Sequence, residues 1–323
     1  MTRTSFGFII PQRAIVFGAA TWPELLDLAR AADHNPLFDS IWLGDSLIAK
    51  ARPDPIPILG ALAATVSRVR LGVGCMASFP LRDPVVFAAQ WAALDLISNG
   101  RTELAVCTGI GLGGTSAREG AIWNIRDSER GARMVENIEI CRRLWSEDSV
   151  TFDGRFRSFA NAAIQPRPVQ QPCPIWIAAN PQPALAENPL RRVARIADGF
   201  MVAEVRPGLF AALWPKLEQY LMDEGRDPTA FPNIVYMNVN IAPDRTVALE
   251  ETARFLDRYY GPVFSPAMAA GWTAAGTPRE CIDHLRAMVR AGAKAIALRI
   301  TGWNQRDQFA RLANDVLPFV DAQ

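Results

Sequence analysis

Gly109, Gly111 and Gly114 satisfy G-x-G-x-x-G inside the stretch LISNGRTELAVCTGIGLGG, residues 96–114. In a dinucleotide-binding turn those glycines let the backbone approach a pyrophosphate at a helix N-terminus, within the first βαβ unit. Here the motif follows the fourth strand-like run, and the acids at the right distance, Asp127 and Glu129, open a helical segment instead of ending a strand. No lysine follows in GGTS, so a phosphate P-loop fails as well. The glycines read as a flexible loop. The inventory of acids, bases and nucleophiles is thin. His34 and His284 are the only histidines and neither ends a strand, no His/Cys/Asp cluster has metal spacing, and no G-x-S-x-G elbow is present. Cys107, Asp45, Asp83 and Glu204 stand near predicted strand ends. A site so poor in its own acid and base suits a borrowed cofactor that carries the electrons.

The elements that must position these residues recur with a simple rhythm. Nearly continuous apolar runs at 5–10, 39–45, 70–77, 102–109, 174–180, 199–204, 234–242 and 295–302 read as parallel strands buried on both faces. Helical patterns lie between them. Met134, Ile138, Cys141 and Trp145 share one stripe, and Thr277 with Pro278 signals the start of a helix carrying Cys281, Ile282, Leu285 and Met288. Eight strands alternating with helices predict an α/β protein, a (β/α)₈ TIM barrel, ahead of a doubly wound sheet. Between 149 and 174 the rhythm breaks. VTFDGRFRSF alternates around Asp153-Gly154, which predicts a β-hairpin insertion with a two-residue turn. No polar linker divides the chain, so residues 1–323 read as one domain.

Half of the 323 residues are apolar, about a fifth are charged, and the formal net charge is +1. No strong field draws nucleic acid or anionic lipid, and no apolar run reaches membrane-spanning length. Five cysteines without regular spacing read as reduced thiols, and the N-terminal apolar run, broken by Pro11 and Arg13, reads as a strand rather than a signal peptide. A cytoplasmic protein is the expectation.

Several ordered blocks together resemble the luciferase-like oxidoreductases, the barrel family of bacterial luciferase, alkanesulfonate monooxygenase and the enzymes that depend on coenzyme F420, a deazaflavin. The blocks are FDSIWLGDS (38–46), RVRLGVGCMASFPLRDPVVFAAQWAALDLISNGRTELAVCTG (68–109), ERGARMVENIEICRRLW (129–145), FDGRF (152–156), QPRPVQQPCPIWIAAN (165–180), ARIADGF (194–200) and GTPRECIDHL (276–285). The resemblance implies a reduced flavin or deazaflavin at the C-terminal mouth of the barrel. It implies a bulge, often with a non-prolyl cis peptide, at Met76, Ala77 and Ser78 against the ring. It implies a chemical role for Cys107, and cofactor contacts from Thr108, Gly109, Ala178, Ala179 and Asn180, the last three standing where the family usually has Gly-Gly-Ser. Asp45 orients the ring or a substrate, or else pairs with Arg52 or Arg82. Arg206 and Arg299 are candidates for a cofactor phosphate. Trp42, Phe79, Trp123, Trp176 and Trp303 are expected to wall an apolar substrate pocket.

Two departures narrow the chemistry. The sugar and alcohol dehydrogenases of the family carry a His after the second-strand Asp and a Glu past the fourth-strand Gly; this chain has Ser46 and Ile110. Neither can take a hydroxyl proton. The expected function is therefore a two-component monooxygenase, using reduced FMN from a separate flavin reductase and O₂ on a small organic substrate. The alternative is an F420H₂-dependent reductase of an activated C=C or C=N bond, and a third reading is a flavin-binding protein without turnover. The resemblance also implies a homodimer, for which the apolar segment 84–97 offers a face.

Overall fold

The computed structural model describes residues 3–109, 114–179, 187–203 and 205–321. Eight parallel strands close into a ring: β1 (Ser5–Ile9), β2 (Phe38–Leu43), β3 (Arg70–Met76), β4 (Thr102–Val106), β7 (Ile175–Ala178), β8 (Phe200–Ala203), β9 (Asn233–Ile241) and β11 (Ala295–Ile300), which pairs back onto β1. All eight correspond to predicted runs. Helices α1 (Trp22–His34), α2 (Pro55–Ala63) and α3 (Pro84–Ile97) follow the first three strands, and α4 (Thr115–Ala121) and α5 (Asp127–Ser146) follow β4. Then come α6 (Glu187–Ile196), α7 (Pro207–Asp223), α8 (Arg245–Tyr260), α9 (Pro266–Gly271), α10 (Pro278–Arg290) and α11 (Gln305–Arg311). Thr277 caps α10 as expected: its hydroxyl accepts from the Glu280 amide while the Glu280 carboxylate accepts from the Thr277 amide.

The insertion is a hairpin of β5 (Val150–Asp153) and β6 (Ser158–Ala162), but its turn differs from the two-residue expectation. Asp153 pairs with Ser158, leaving four residues, 154–157, in the loop. The buried Glu136 carboxylate on α5 explains this. It accepts from the backbone amides of Arg155 at 2.8 Å and Phe156 at 3.0 Å, so a tertiary contact holds the chain away from the tighter turn. A further strand, β10 (Thr273–Gly276), escaped the sequence reading because TAAG is short and nearly featureless. It pairs with β9 from Asn238 to Ile241, beyond the point where β8 leaves β9 at Tyr236. That arrangement carries Trp272 to the mouth.

Most of the core lies between strands and helices, and a second cluster fills the lumen. Trp42 is the lumen's plug. It is 1% exposed, packs on Trp176 with ring centroids 6.2 Å apart, and its indole NH donates to Ser40 Oγ. Three glycines make room for it: a Cβ at Gly72 would collide with the Trp42 ring outright, one at Gly7 falls 2.8 Å from it, and one at Gly74 falls 3.0 Å from it. Trp42 is thus a packing residue beneath the mouth and not part of a pocket wall. Phe79, 1% exposed, packs on Phe87 in the outer core instead of facing a substrate.

Candidate active site

Above the Trp42 layer, at the C-terminal ends of the strands, lies a cavity of about 380 Å³. That volume falls within the range of small-molecule sites, on the face where barrel enzymes work. Small residues line its floor and near wall: Gly74, Cys75 and Ala77 from β3 and its exit, Cys107, Thr108 and Gly109 past β4, and Ala178 and Ala179 at the tip of β7. Met201 and Ala203 on β8 continue the apolar surface. Opposite stand Tyr236, Tyr260 and Trp272.

The sequence expectation for β3 is close but displaced. The non-prolyl cis peptide is Gly74–Cys75, and the ladder to β4 skips Cys75, pairing Gly74 with Ala105 and Met76 with Val106. The skip turns Cys75 to the cavity and sends Met76, fully buried, into the outer core. Ser78 is also fully buried, is not among the lining residues, and its hydroxyl accepts from Arg82 at 2.7 Å. Ala77, Thr108, Gly109, Ala178 and Ala179, the residues expected to contact a cofactor, line the cavity. Asn180 and Glu204 lie outside the described residues. Trp123, 39% exposed, and Trp303, 38% exposed and packed on Phe255, are not among the lining residues. Arg206, at the N-cap of α7, is exposed and absent from the lining too.

Two buried networks hold the mouth in shape. The Asp45 carboxylate accepts from the Ser78 amide at 2.6 Å and from Arg82 at 3.4 Å, tying the β2 exit to the β3 exit. Arg82 also pairs with Asp54 at 2.6 Å. Burial pushes the Asp45 carboxyl up, with Arg82 and Ser78 pulling the other way. Arg130 on α5 forms the second network. Its guanidinium donates to the carbonyls of Thr108 at 2.6 Å, Ala77 at 2.7 Å and Ser116 at 3.4 Å, and lies 3.9 Å from Glu119. Glu119 in turn accepts from Ser46 Oγ at 3.2 Å and from the amides of Leu47 and Ile48 at 2.8 and 2.9 Å. Both cavity carboxylates therefore serve the frame.

The third network was missed by sequence reasoning. Arg299 on β11 is fully buried, and among the described residues no carboxylate forms an ion pair with it. Its guanidinium donates to Asn238 Oδ1 at 3.0 and 2.7 Å and to Tyr260 Oη at 2.5 Å. It also lies 4.7–5.3 Å from the ring centres of Tyr236, Tyr259, Tyr260 and Trp272. Such a box stabilises a cation through ring faces. Arg299 is therefore not a phosphate ligand, since its side chain is spent inside the wall. Burial pushes the Tyr236 phenol far up, so it keeps its proton and donates to Tyr260. Burial pushes Tyr260 up as well, but Arg299, Arg52 and the bonds donated by Tyr236 and Arg299 outweigh it, leaving the phenol more acidic than usual. The one sequence signal was an arginine inside the apolar run AIALRITG.

The two cavity cysteines, Cys75 and Cys107, are joined as a disulfide, contrary to the expectation of five free thiols. They face each other from adjacent strands, which spacing in the sequence does not reveal. Cys141, Cys173 and Cys281 are free and buried.

The residues present fit a phosphate-bearing tricyclic cofactor. The small, apolar floor suits a flat ring. Lys50, Arg52 and Arg192 give the lining three cations against two carboxylates, Asp45 and Glu119, that are already engaged.

A closed parallel barrel with such a cavity at the C-terminal ends of its strands places the chain among barrel proteins that bind small molecules at that mouth. The chain belongs to the luciferase-like monooxygenase family, whose model matches residues 4–295. It is similar to the F420-dependent glucose-6-phosphate dehydrogenase of Nakamurella multipartita, 28% identical over 321 residues, covering 91% of each chain. Among solved structures it resembles an F420-dependent secondary alcohol dehydrogenase in complex with an F420-acetone adduct, with a TM-score of 0.81, 18% identity and 99% of each chain covered. It also resembles the coenzyme F420-dependent tetrahydromethanopterin reductase of Methanopyrus kandleri, with a TM-score of 0.77, 18% identity, and 99% of this chain and 100% of that one covered. The protein is a luciferase-like oxidoreductase. Among the described residues no helix is long and apolar enough to cross a membrane.

Proposed function

We propose that this oxidoreductase takes coenzyme F420 in its reduced form and reduces an activated C=C or C=N bond of a small, largely apolar substrate. The observation that carries the proposal is the sign of the site's proton chemistry. Oxidising an alcohol needs a base near the hydroxyl, whereas reducing an activated bond needs an acid. Among the described lining residues there is no imidazole, and Asp45 and Glu119 are bound into the frame. Tyr260, by contrast, is an acidified phenol on the cavity wall. The relatives named for F420 support this coenzyme, and the lack of an available base among the described lining residues separates the chain from the dehydrogenases among them.

When bound, the reduced deazaflavin supplies a hydride. The chain's own residues do the rest. Ala77, Thr108, Gly109, Ala178 and Ala179 offer small side chains and backbone to the ring. Lys50, Arg52 and Arg192 offer positive charge to the phosphate. Tyr260 donates a proton to the atom that gains negative charge, and Arg299 stabilises the phenolate left behind. Trp272 and Met201 keep water from the reacting bond.

The coenzyme choice is tested by anaerobic titration of the purified protein, following quenching of its tryptophan fluorescence. F420H₂ is expected to bind at least about tenfold more tightly than reduced FMN, a difference of about 1.4 kcal/mol. Tighter binding of reduced FMN returns the chain to the oxygen-using, two-component monooxygenase reading.

A further inference from the structure

Cys75 and Cys107 stand 32 residues apart on neighbouring strands, with Cα atoms 5.9 Å apart and their sulfurs bonded. The separation is ordinary for a disulfide. The ladder from Leu71–Thr102 to Met76–Val106 already fixes the register of β3 on β4, so the bond is not needed to align them. Its setting also differs from that of the other cysteines. Burial pushes the Cys173 and Cys281 thiols up to about 12 and the Cys141 thiol higher still, which makes all three inert. Cys75 and Cys107 both line the cavity, beside Lys50, Arg52 and Arg192. Cys75 is the more open of the two; Cys107 is 7% exposed.

We propose that Cys75–Cys107 is a thiol–disulfide exchange site for small anionic thiols that enter through the cavity mouth. The incoming thiolate attacks Cys75 Sγ. A bond forms between those two sulfurs, the Cys75–Cys107 bond breaks, and its electron pair leaves on Cys107 Sγ, which then takes a proton. A second thiolate attacks the small-molecule sulfur of the mixed disulfide and releases Cys75, which is protonated in turn. The net result is two protein thiols and one small-molecule disulfide, with two small thiols oxidised. The cations along the wall raise the local concentration of an anionic thiol and favour its thiolate form. The free-energy source is the small thiol itself, so the exchange is independent of which coenzyme the barrel holds. Because the pair forms part of the cavity floor, its redox state changes the surface that any ring meets there.

The test uses the whole folded protein, air-oxidised, treated at neutral pH with 2-mercaptoethanesulfonate or with neutral 2-mercaptoethanol. Iodoacetamide quenches the reaction, and peptide mass mapping locates the alkylated cysteines. Cys75 and Cys107 are expected to be alkylated only after thiol treatment, while Cys141, Cys173 and Cys281 react only on unfolding. Normalised to thiolate concentration, the sulfonate is expected to react about threefold or more faster at low salt, the gap closing as salt screens the cavity. Cys107→Ser, treated with the symmetrical disulfide of 2-mercaptoethanesulfonate, is expected to hold the mixed disulfide on Cys75, since the Cys75 thiolate attacks that disulfide, one sulfonate thiolate leaves, and no neighbouring thiol remains to release the adduct. Alkylation of both cysteines without any thiol overturns the proposal, as does a bond that resists reduction until the chain unfolds. Equal rates for the two probes at every salt concentration overturn the anionic preference and with it the assigned substrate class.

Discussion

Tyr260→Phe is expected to lower the turnover of F420H₂-dependent reduction by about 10²–10⁴-fold while leaving coenzyme affinity within about twofold. The hydroxyl that is removed sits 2.5 Å from the Arg299 guanidinium and is the cavity's acidified proton donor. The ring that remains still packs on Trp272 and Phe264, so the wall keeps its shape. The pH profile separates a chemical role from a structural one. A proton donor must be protonated to act, and its folded pKa lies below the usual phenol value. The wild-type rate therefore falls as pH rises through that lowered value, and the variant loses this alkaline limb. A wild-type rate that stays flat to high pH, or a variant with near-normal turnover, removes Tyr260 from the mechanism. Steady-state kinetics across pH, with unfolding midpoints measured alongside, supply both readouts.

Arg130→Met is expected to destabilise the fold by about 3–5 kcal/mol, the usual cost of leaving one member of a buried ionic pair alone. Arg130 is 1% exposed, and its removal strands the carbonyls of Ala77, Thr108 and Ser116 and takes the counter-charge from the buried Glu119 carboxylate, which keeps its bonds from Ser46, Leu47 and Ile48. The loss extends from stability to function, because Ala77 and Thr108 line the cavity. Arg130→Lys is expected to recover only part of the loss, since a single ammonium cannot fork to three carbonyls. Urea unfolding checks the claim, and a change below about 1 kcal/mol for the methionine variant shows that water or neighbours satisfy those groups instead.

The barrel was legible because its strands are buried on both faces and therefore read as continuous apolar runs, whatever their detailed register. The same feature hid the site. Inward and outward positions of a doubly buried strand have similar residue types, so Trp42 and Phe79 looked like pocket wall although one plugs the lumen and the other packs under α3. The skipped residue at Cys75 inverts the facing of Met76, and nothing in GCMAS announces where a ladder slips. Of the residues expected to contact a cofactor, Ala77, Thr108, Gly109, Ala178 and Ala179 do line the cavity, because they stand where the strands end and small side chains leave space there. The aromatic wall came instead from Tyr236 in mid-strand, Tyr260 at a helix end and Trp272 before an unpredicted strand. Those three meet only through tertiary structure, around a buried arginine whose partners lie 39 and 61 residues away.

The preference for reduction over oxidation is tested most directly by running the site both ways under anaerobic conditions. In one direction F420H₂ is offered with a panel of conjugated enones and imines; in the other, oxidised F420 is offered with secondary alcohols and glucose 6-phosphate. A cavity with a phenolic acid and no available base among its described lining residues predicts acceptor-dependent oxidation of F420H₂ and no alcohol-dependent reduction of F420. Alcohol- or sugar-phosphate-driven reduction of F420 at a comparable rate, with the enones and imines left untouched, contradicts it.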